Sequence, residues 1–251
     1  MKYELTDEIA RINGRVLHRI RRLSNGELGG FIEKEENLSQ EGSCWVHDNA
    51  YIYDYAKVYE DAQIYDTSQI YGNAYVYGNA QILDKAKVFG VSRVFDNAKI
   101  YGNAKAAGYT RIYDNAKVFG NASIYDYAKV YGNANIYDDA EICGNAQIFD
   151  TARVYDDARV YDMAKVYGTS QVYGRAKVFG KAQVCDSTTI YENTTICGGA
   201  EIFGNAAIYG NSKVFEDAQV FDNAQIFGCS EIYGDAQIGG HTLVYDKRIL
   251  H

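Results

Sequence analysis

From Trp45 to Arg248 the chain repeats every six residues without a single insertion or deletion, and that period limits what it can become. The stretch Lys129 to Asp150, KVYGNANIYDDAEICGNAQIFD, shows the unit. Counted from Trp45, 204 residues make 34 hexads (204/6). The second position is Ile or Val in 33 of the 34, with Ala106 the exception; the sixth is Ala, Ser or Thr in 33, with Arg248 the exception. The third is Tyr or Phe in 27, and the fourth is always Gly, Asp or Glu. An α-helix needs apolar residues at a period of 3.6, and this pattern never supplies it. In an extended strand, residues two apart point to the same side, so the sixth position of one hexad and the second of the next both face inward. Positions one and three then face out. Gly or Asp followed by a residue that is mostly Asn or Asp favours a sharp corner with φ > 0. Each hexad is therefore a short strand and a corner. Such a unit cannot bury its inner side alone and must stack on copies of itself.

The spaced small and β-branched residues resemble the hexapeptide-repeat superfamily, whose fold is a left-handed parallel β-helix. The resemblance covers residues 45–248. It implies three hexads per coil, about 11 coils (34/3), and a stack of roughly 50 Å at ~4.8 Å per strand. One departure stands out. The family often places Gly, Ala, Asp or Glu after the inward aliphatic residue, where this chain has an outward aromatic.

Residues 1–44 read differently and are expected to form an N-terminal β-hairpin cap, with 45–248 the β-helix and 249–251 a C-terminal tail. Asn13-Gly14 between alternating apolar runs is a hairpin signal. The following LGGFIE and NLSQEGSCW pieces resemble a narrower group of uncharacterised, often prophage-borne, hexapeptide-repeat proteins. Their expected role is to cover the first coil's strand edges, with Leu28 to Glu33 as an alternative binding segment.

A net charge of −8 argues against nonspecific binding to nucleic acid or an anionic membrane. No apolar run approaches the roughly 18 residues of a membrane span, and the acid-bearing start MKYELTDEIARING does not read as a signal peptide. The expected location is the cytoplasm. The five cysteines do not suggest a disulfide framework. Cys143 and Cys197 lie three coils apart (54/18), about 14 Å, beyond disulfide reach. No cysteine has the matched His or second Cys of a zinc site, so neither metal nor cofactor is expected. At one edge Asp138-Asp139 and Asp156-Asp157 stack; solvated acids partly balanced by Arg153 and Arg159 are a better reading than a calcium site.

Many members of the superfamily are acyltransferases, and the resemblance implies trimers with a catalytic His helped by an extruded loop. This chain has no extruded loop between Trp45 and Arg248, and its four histidines, His18, His47, His241 and His251, avoid the middle of the repeat. The sequence therefore points away from catalysis.

Residues 18 apart share a face. On the first face Tyr101, Phe119, Tyr137, Tyr155, Tyr173, Tyr191, Tyr209, Phe227 and Tyr245 follow without a break, flanked late in the run by uncharged Gln171, Thr189, Ala207 and Gln225. Such a strip stiffens a coil, and at low charge density it also suits an interface. Tyr173, Tyr191, Tyr209, Phe227 and Tyr245, with Ile249 and Leu250 at the end, are the expected contact residues of a homo-oligomer. The second face reads Tyr53, Tyr71, Phe89, Ala107, Tyr125, Cys143, Tyr161, Phe179, Cys197, Phe215, Tyr233, and its gaps invite a ligand. At Ala107 a ring could stack between Phe89 and Tyr125, with Lys87 and Lys105 alongside to attract a small, nucleotide-like anion. The leading expectation is a rigid, non-catalytic solenoid that assembles or binds through its faces or end. Ligand sequestration in a ladder gap is the alternative, and acyl transfer the third.

Overall fold

The computed structural model describes residues 1–250. The chain divides into two compact units, Met1–Asn121 and Ala122–His251. The first opens with an antiparallel hairpin of β1 (Tyr3–Ile12) and β2 (Arg15–Arg22) around the Asn13-Gly14 turn, where both residues have positive φ, 49° and 79°. Strand β3 (Leu28–Ile32) pairs antiparallel with β2 and parallel with Tyr51–Ile52, so it converts a hairpin into the parallel stack. From there the strands are two residues long and recur every 18 residues. Tyr51–Ile52, Gln69–Ile70, Lys87–Val88 and Lys105–Ala106 build one sheet; the strands starting at Trp45 and at Lys57 build the other two.

The second unit repeats the arrangement with three parallel sheets, beginning at Ser123–Ile124, Lys129–Val130 and Asn135–Ile136. Each unit is thus a three-sided, all-β parallel solenoid, consistent with the left-handed β-helix that the hexads imply. The only helical element among the described residues is one turn of 3-10 helix, Glu35–Asn37, and no helix is long and apolar enough to cross a membrane.

The inward side is what the pattern dictates. Ala140, Ile142, Ala152 and Val154 have no solvent exposure, and neither do nearly all their equivalents. Each buried Ile or Val contributes about 1.5–3 kcal/mol of transfer free energy. The serine hydroxyls at the sixth position stay buried because they donate locally: Ser68 Oγ to the Tyr65 carbonyl at 2.7 Å, Ser170 to Tyr167 at 2.7 Å, Ser212 to Tyr209 at 2.8 Å.

The corners explain the fourth position. All 34 of its residues, seventeen glycines and seventeen acids, have positive φ. Glycine adopts this conformation freely, whereas a residue with a Cβ meets a steric cost of about 1–2 kcal/mol. The acids offset that cost. Their carboxylates accept the corner N–H one coil further on: Gly174 N–H donates to Asp156 at 3.1 Å, Gly180 to Asp162 at 3.2 Å, Gly210 to Glu192 at 2.7 Å. Of the four acids read from sequence as solvated, all are exposed, and Asp156 is in addition a backbone acceptor. Arg159, expected to balance them, instead pairs with Glu141 at 3.2 Å.

The N-terminal motifs serve the same stack. A Cβ on Gly30 would lie 2.6 Å from both the Ala50 carbonyl oxygen and Val46 Cγ1, so the LGG segment must lack side chains there. Glu33 acts as a corner acid, accepting the Asp54 N–H at 2.6 Å and pairing with Arg15 at 2.8 Å. Asn37 is fully buried and donates to the carbonyls of Asp54 and Ala56 at 3.2 and 2.9 Å. Leu38 bridges to Val58, and Tyr3 donates its hydroxyl to the Leu38 carbonyl at 2.7 Å. Over this cap Arg19 covers the Phe31 ring and Arg22 the Trp45 ring, each at 4.3 Å.

Candidate binding faces

Most of the outward third-position rings are half-buried rather than free, because they rest on a ring one coil away. On the first face of the second unit, Tyr137, Tyr155, Tyr173, Tyr191 and Tyr209 stack at 4.8, 4.8, 5.0 and 4.9 Å, nearly coplanar. Phe227 continues the run at 5.2 Å, and Tyr245 follows at 5.1 Å with its plane tilted by 33°. Burial within the stack raises the pKa values of Tyr137, Tyr155, Tyr173 and Tyr191; Tyr155, between two tyrosines, is pushed up to about 12. The predicted contact residues Tyr173, Tyr191, Tyr209 and Phe227 therefore share one continuous ladder. At its end Tyr245 is 57% exposed and Leu243 62%; Leu250, 59% exposed, lies on the strand of the adjoining sheet, in register with Tyr233. Ile249 is half-buried and registers with Ile232.

The second face carries the gaps. In the first unit Tyr53, Tyr71 and Phe89 stack at 5.0 and 4.9 Å, and the run meets Ala107. Lys87 and Lys105 are register partners on adjacent strands, as their 18-residue spacing predicts. The hexad is weak inside as well as outside: Ala106 replaces the usual Ile or Val in the core, and the buried Thr110 hydroxyl lacks a partner. Tyr125, the other expected member of this site, belongs to the second unit. There it neighbours Cys143, to which its hydroxyl hydrogen-bonds, and this holds its pKa well above the ordinary tyrosine value. Burial raises the Cys143 thiol in turn.

The sequence reading places its ligand at the Ala107 gap, whereas in the second unit a recess lies at the Cys143 gap. A cavity of about 230 Å³ is lined by Tyr125, Cys143 and Tyr161 together with Glu141, Arg159 and Lys177. A second, about 330 Å³, is lined by Asp157, Arg159, Arg175 and Lys177. The signal in the sequence was the short Cys143 where a ring usually stands; the cations were not connected to it. A third recess, about 310 Å³, lies beside Lys34 and Tyr55 in the cap. There the Lys34 ammonium already sits 4.4 Å over the Tyr55 ring, and Asn37 is committed to backbone carbonyls.

The histidines have structural neighbours. His47 stacks on Tyr65 at 4.2 Å and lies 2.9 Å from the Gln63 amide oxygen. His18 Nδ1 lies 3.1 Å from the Thr6 carbonyl oxygen. His241 occupies an exposed corner, and His251 lies outside the described residues. All five cysteines are free. No group of three or more potential metal ligands occurs among the described residues.

Comparison with known proteins adds a short match. The YdcK beta solenoid repeat family model matches residues 68–84. Among solved structures, the chain is similar to the UDP-N-acetylglucosamine O-acyltransferase of Moraxella catarrhalis RH4, at 18% identity over 66% of this chain and 67% of that one, with a TM-score of 0.32. No curated protein matches the chain in sequence.

Proposed function

We propose that this protein is a non-catalytic β-solenoid that assembles with a second copy of itself through its C-terminal turn and the aromatic ladder leading into it. One observation carries the reading: Leu243, Tyr245 and Leu250 are each more than half exposed within eight residues. Large apolar side chains gathered this way mark contact surfaces. Gln237–Ile238, Leu243–Tyr245 and Arg248–Leu250 are also the outermost described strands of the three sheets, so their outer edges carry backbone groups able to pair with further strands. A second copy offers three edges of the same number and spacing, together with the same apolar residues, which makes it the matching occupant. The rings behind this end are flanked by uncharged Gln171, Thr189, Ala207 and Gln225, so two ladders can approach without burying unpaired charge. The engagement of His18 and His47 in the cap and ladder supports a role without general-base chemistry.

Native mass spectrometry of the intact chain tests the assembly. The expected spectrum is dominated by an oligomer, and Leu243→Lys with Leu250→Lys shifts it to monomer while circular dichroism stays unchanged. A monomeric native protein, or an oligomer indifferent to both lysines, overturns the reading.

A further inference from the structure

The two adjoining recesses of the second unit differ in chemistry and share two residues. One is walled by Tyr125 and Tyr161 around the short Cys143; the other is lined by Arg159, Arg175 and Lys177 with Asp157. Arg159 and Lys177 border both. We infer that this is a binding site for a planar ring carrying a phosphate, of the size of a single nucleoside monophosphate, independent of the self-assembly proposed above.

The ring part follows from the ladder geometry. Neighbouring rings on this face stack at 4.7 Å where Tyr161 meets Phe179. Tyr125 and Tyr161 are two coils apart (36/18), so about 10 Å of ladder holds no ring between them, only the Cys143 thiol with the Tyr125 hydroxyl bonded to it. A flat ring of the ligand takes the place an aromatic side chain holds in most hexads and stacks on both walls. The Cys143 sulfur forms the floor.

The anion part follows from the charges. Glu141, Arg159 and Lys177 lie side by side on successive strands of the same sheet. Glu141 engages Arg159 at 3.2 Å, whereas Arg175 and Lys177 form no ion pair within 4.0 Å among the described residues. Three cations against two carboxylates leave a positive spot on a chain of net charge −8. Three cations bordering one recess suit a phosphate dianion better than a single carboxylate, and guanidinium groups match phosphate oxygens in pairs. The ring-walled cavity falls below the ~300 Å³ at which drug-sized pockets begin, which fits one ring system and not two.

The gap at Cys197 is the internal control. It too lies between rings, Phe179 and Phe215, but the nearby Lys213 is already paired with Glu231 at 3.3 Å.

Isothermal titration with adenosine 5′-monophosphate, adenosine and inorganic phosphate at low salt tests the site. The monophosphate is expected to bind at least tenfold more tightly than either adenosine or phosphate alone. Cys143→Tyr completes the ladder with the residue commonest at this position, so the variant should fold and lose binding. Cys197→Tyr should leave it unchanged, and Arg175→Ala with Lys177→Ala should weaken it about tenfold. Equal affinity for phosphate and the monophosphate, no binding at all, or full binding by a folded Cys143→Tyr overturns the proposal.

Discussion

Two faces of the second unit are built from the same hexads, yet only one is continuous. On the first, rings run from Tyr137 to Tyr245 without interruption. On the second, Cys143 and Cys197 divide the rings into short groups, Tyr161 with Phe179 and Phe215 with Tyr233. Behind both, the inward residues are equally buried. The difference teaches that the core needs only the second and sixth positions, while the third is free to vary. An unbroken ladder adds stability to each coil through its neighbours; a broken one exchanges some of that stability for a recess.

The largest break in this comparison comes at the corner that joins the two faces. Asp156 has φ 55° and its carboxylate accepts the Gly174 N–H. Asp156→Val places a β-branched residue in the left-handed region and leaves that N–H without its acceptor. The expected loss is about 3 kcal/mol, from backbone strain of ~1–2 kcal/mol and one charge-assisted hydrogen bond of ~1.5 kcal/mol or more. A urea midpoint indistinguishable from the native protein would remove the corner acids from the account of stability. Asp156→Gly, which restores the conformation but not the carboxylate, should recover roughly half of the loss.

A smaller effect separates the faces themselves. Tyr173 stacks on Tyr155 and Tyr191, whereas Phe179 stacks on Tyr161 and faces Cys197 on its other side. At ~0.5–1.5 kcal/mol per aromatic pair, Tyr173→Ala should cost about 2 kcal/mol and Phe179→Ala about 1 kcal/mol. Since solenoid stability is carried by nearest-neighbour coils, hydrogen exchange should show the loss concentrated in the coils flanking each substitution. Equal losses would mean that ring–ring contact is not what distinguishes the faces.

Much of this was legible beforehand, and the limits are instructive. Ile142 and Ala140 announce an inward side because two residues of spacing fix a strand face whatever lies around it. Asn13-Gly14 announces a hairpin because few residues tolerate its φ values. The role of Asp156 was hidden: its partner is a backbone N–H 18 residues away, and a backbone donor leaves no residue-specific mark in the sequence. The recess at Cys143 was half legible. Its missing ring was evident, as were those at Ala107 and Cys197, but the cations beside it come from corners and strands of later coils, and the placement of Arg175 and Lys177 is set by long side chains. Ala107 drew attention because lysines stood at its own register; Tyr125, assigned to that gap, makes its hydrogen bond to Cys143 instead.

The smallest effect is a titration. Burial, followed by the nearby Tyr137 and Tyr173, pushes the Tyr155 hydroxyl up to about 12, against an ordinary value near 10. The unfolded chain therefore releases this proton first as pH rises. Between about pH 10 and 12 the folded state binds more protons than the unfolded one, so stability is complete below pH 10 and falls through that window. Neighbouring tyrosines of the ladder shift in the same direction: burial raises Tyr137, Tyr173 and Tyr191 as well. The urea midpoint should stay level from pH 7 to 9 and decline from pH 10 upward, alongside tyrosinate absorbance. Tyr155→Phe keeps the stack and removes one titrating group, so its midpoint should decline less steeply; it also loses the 3.3 Å hydrogen bond to Gln171, which lowers the curve at neutral pH without tilting it. An unchanged slope would show that the ladder's alkaline loss arises elsewhere. Tyr161→Phe, on the interrupted face, gives the matching comparison: burial raises its hydroxyl too, but its neighbours one coil away are Cys143 and Phe179 and not two tyrosines.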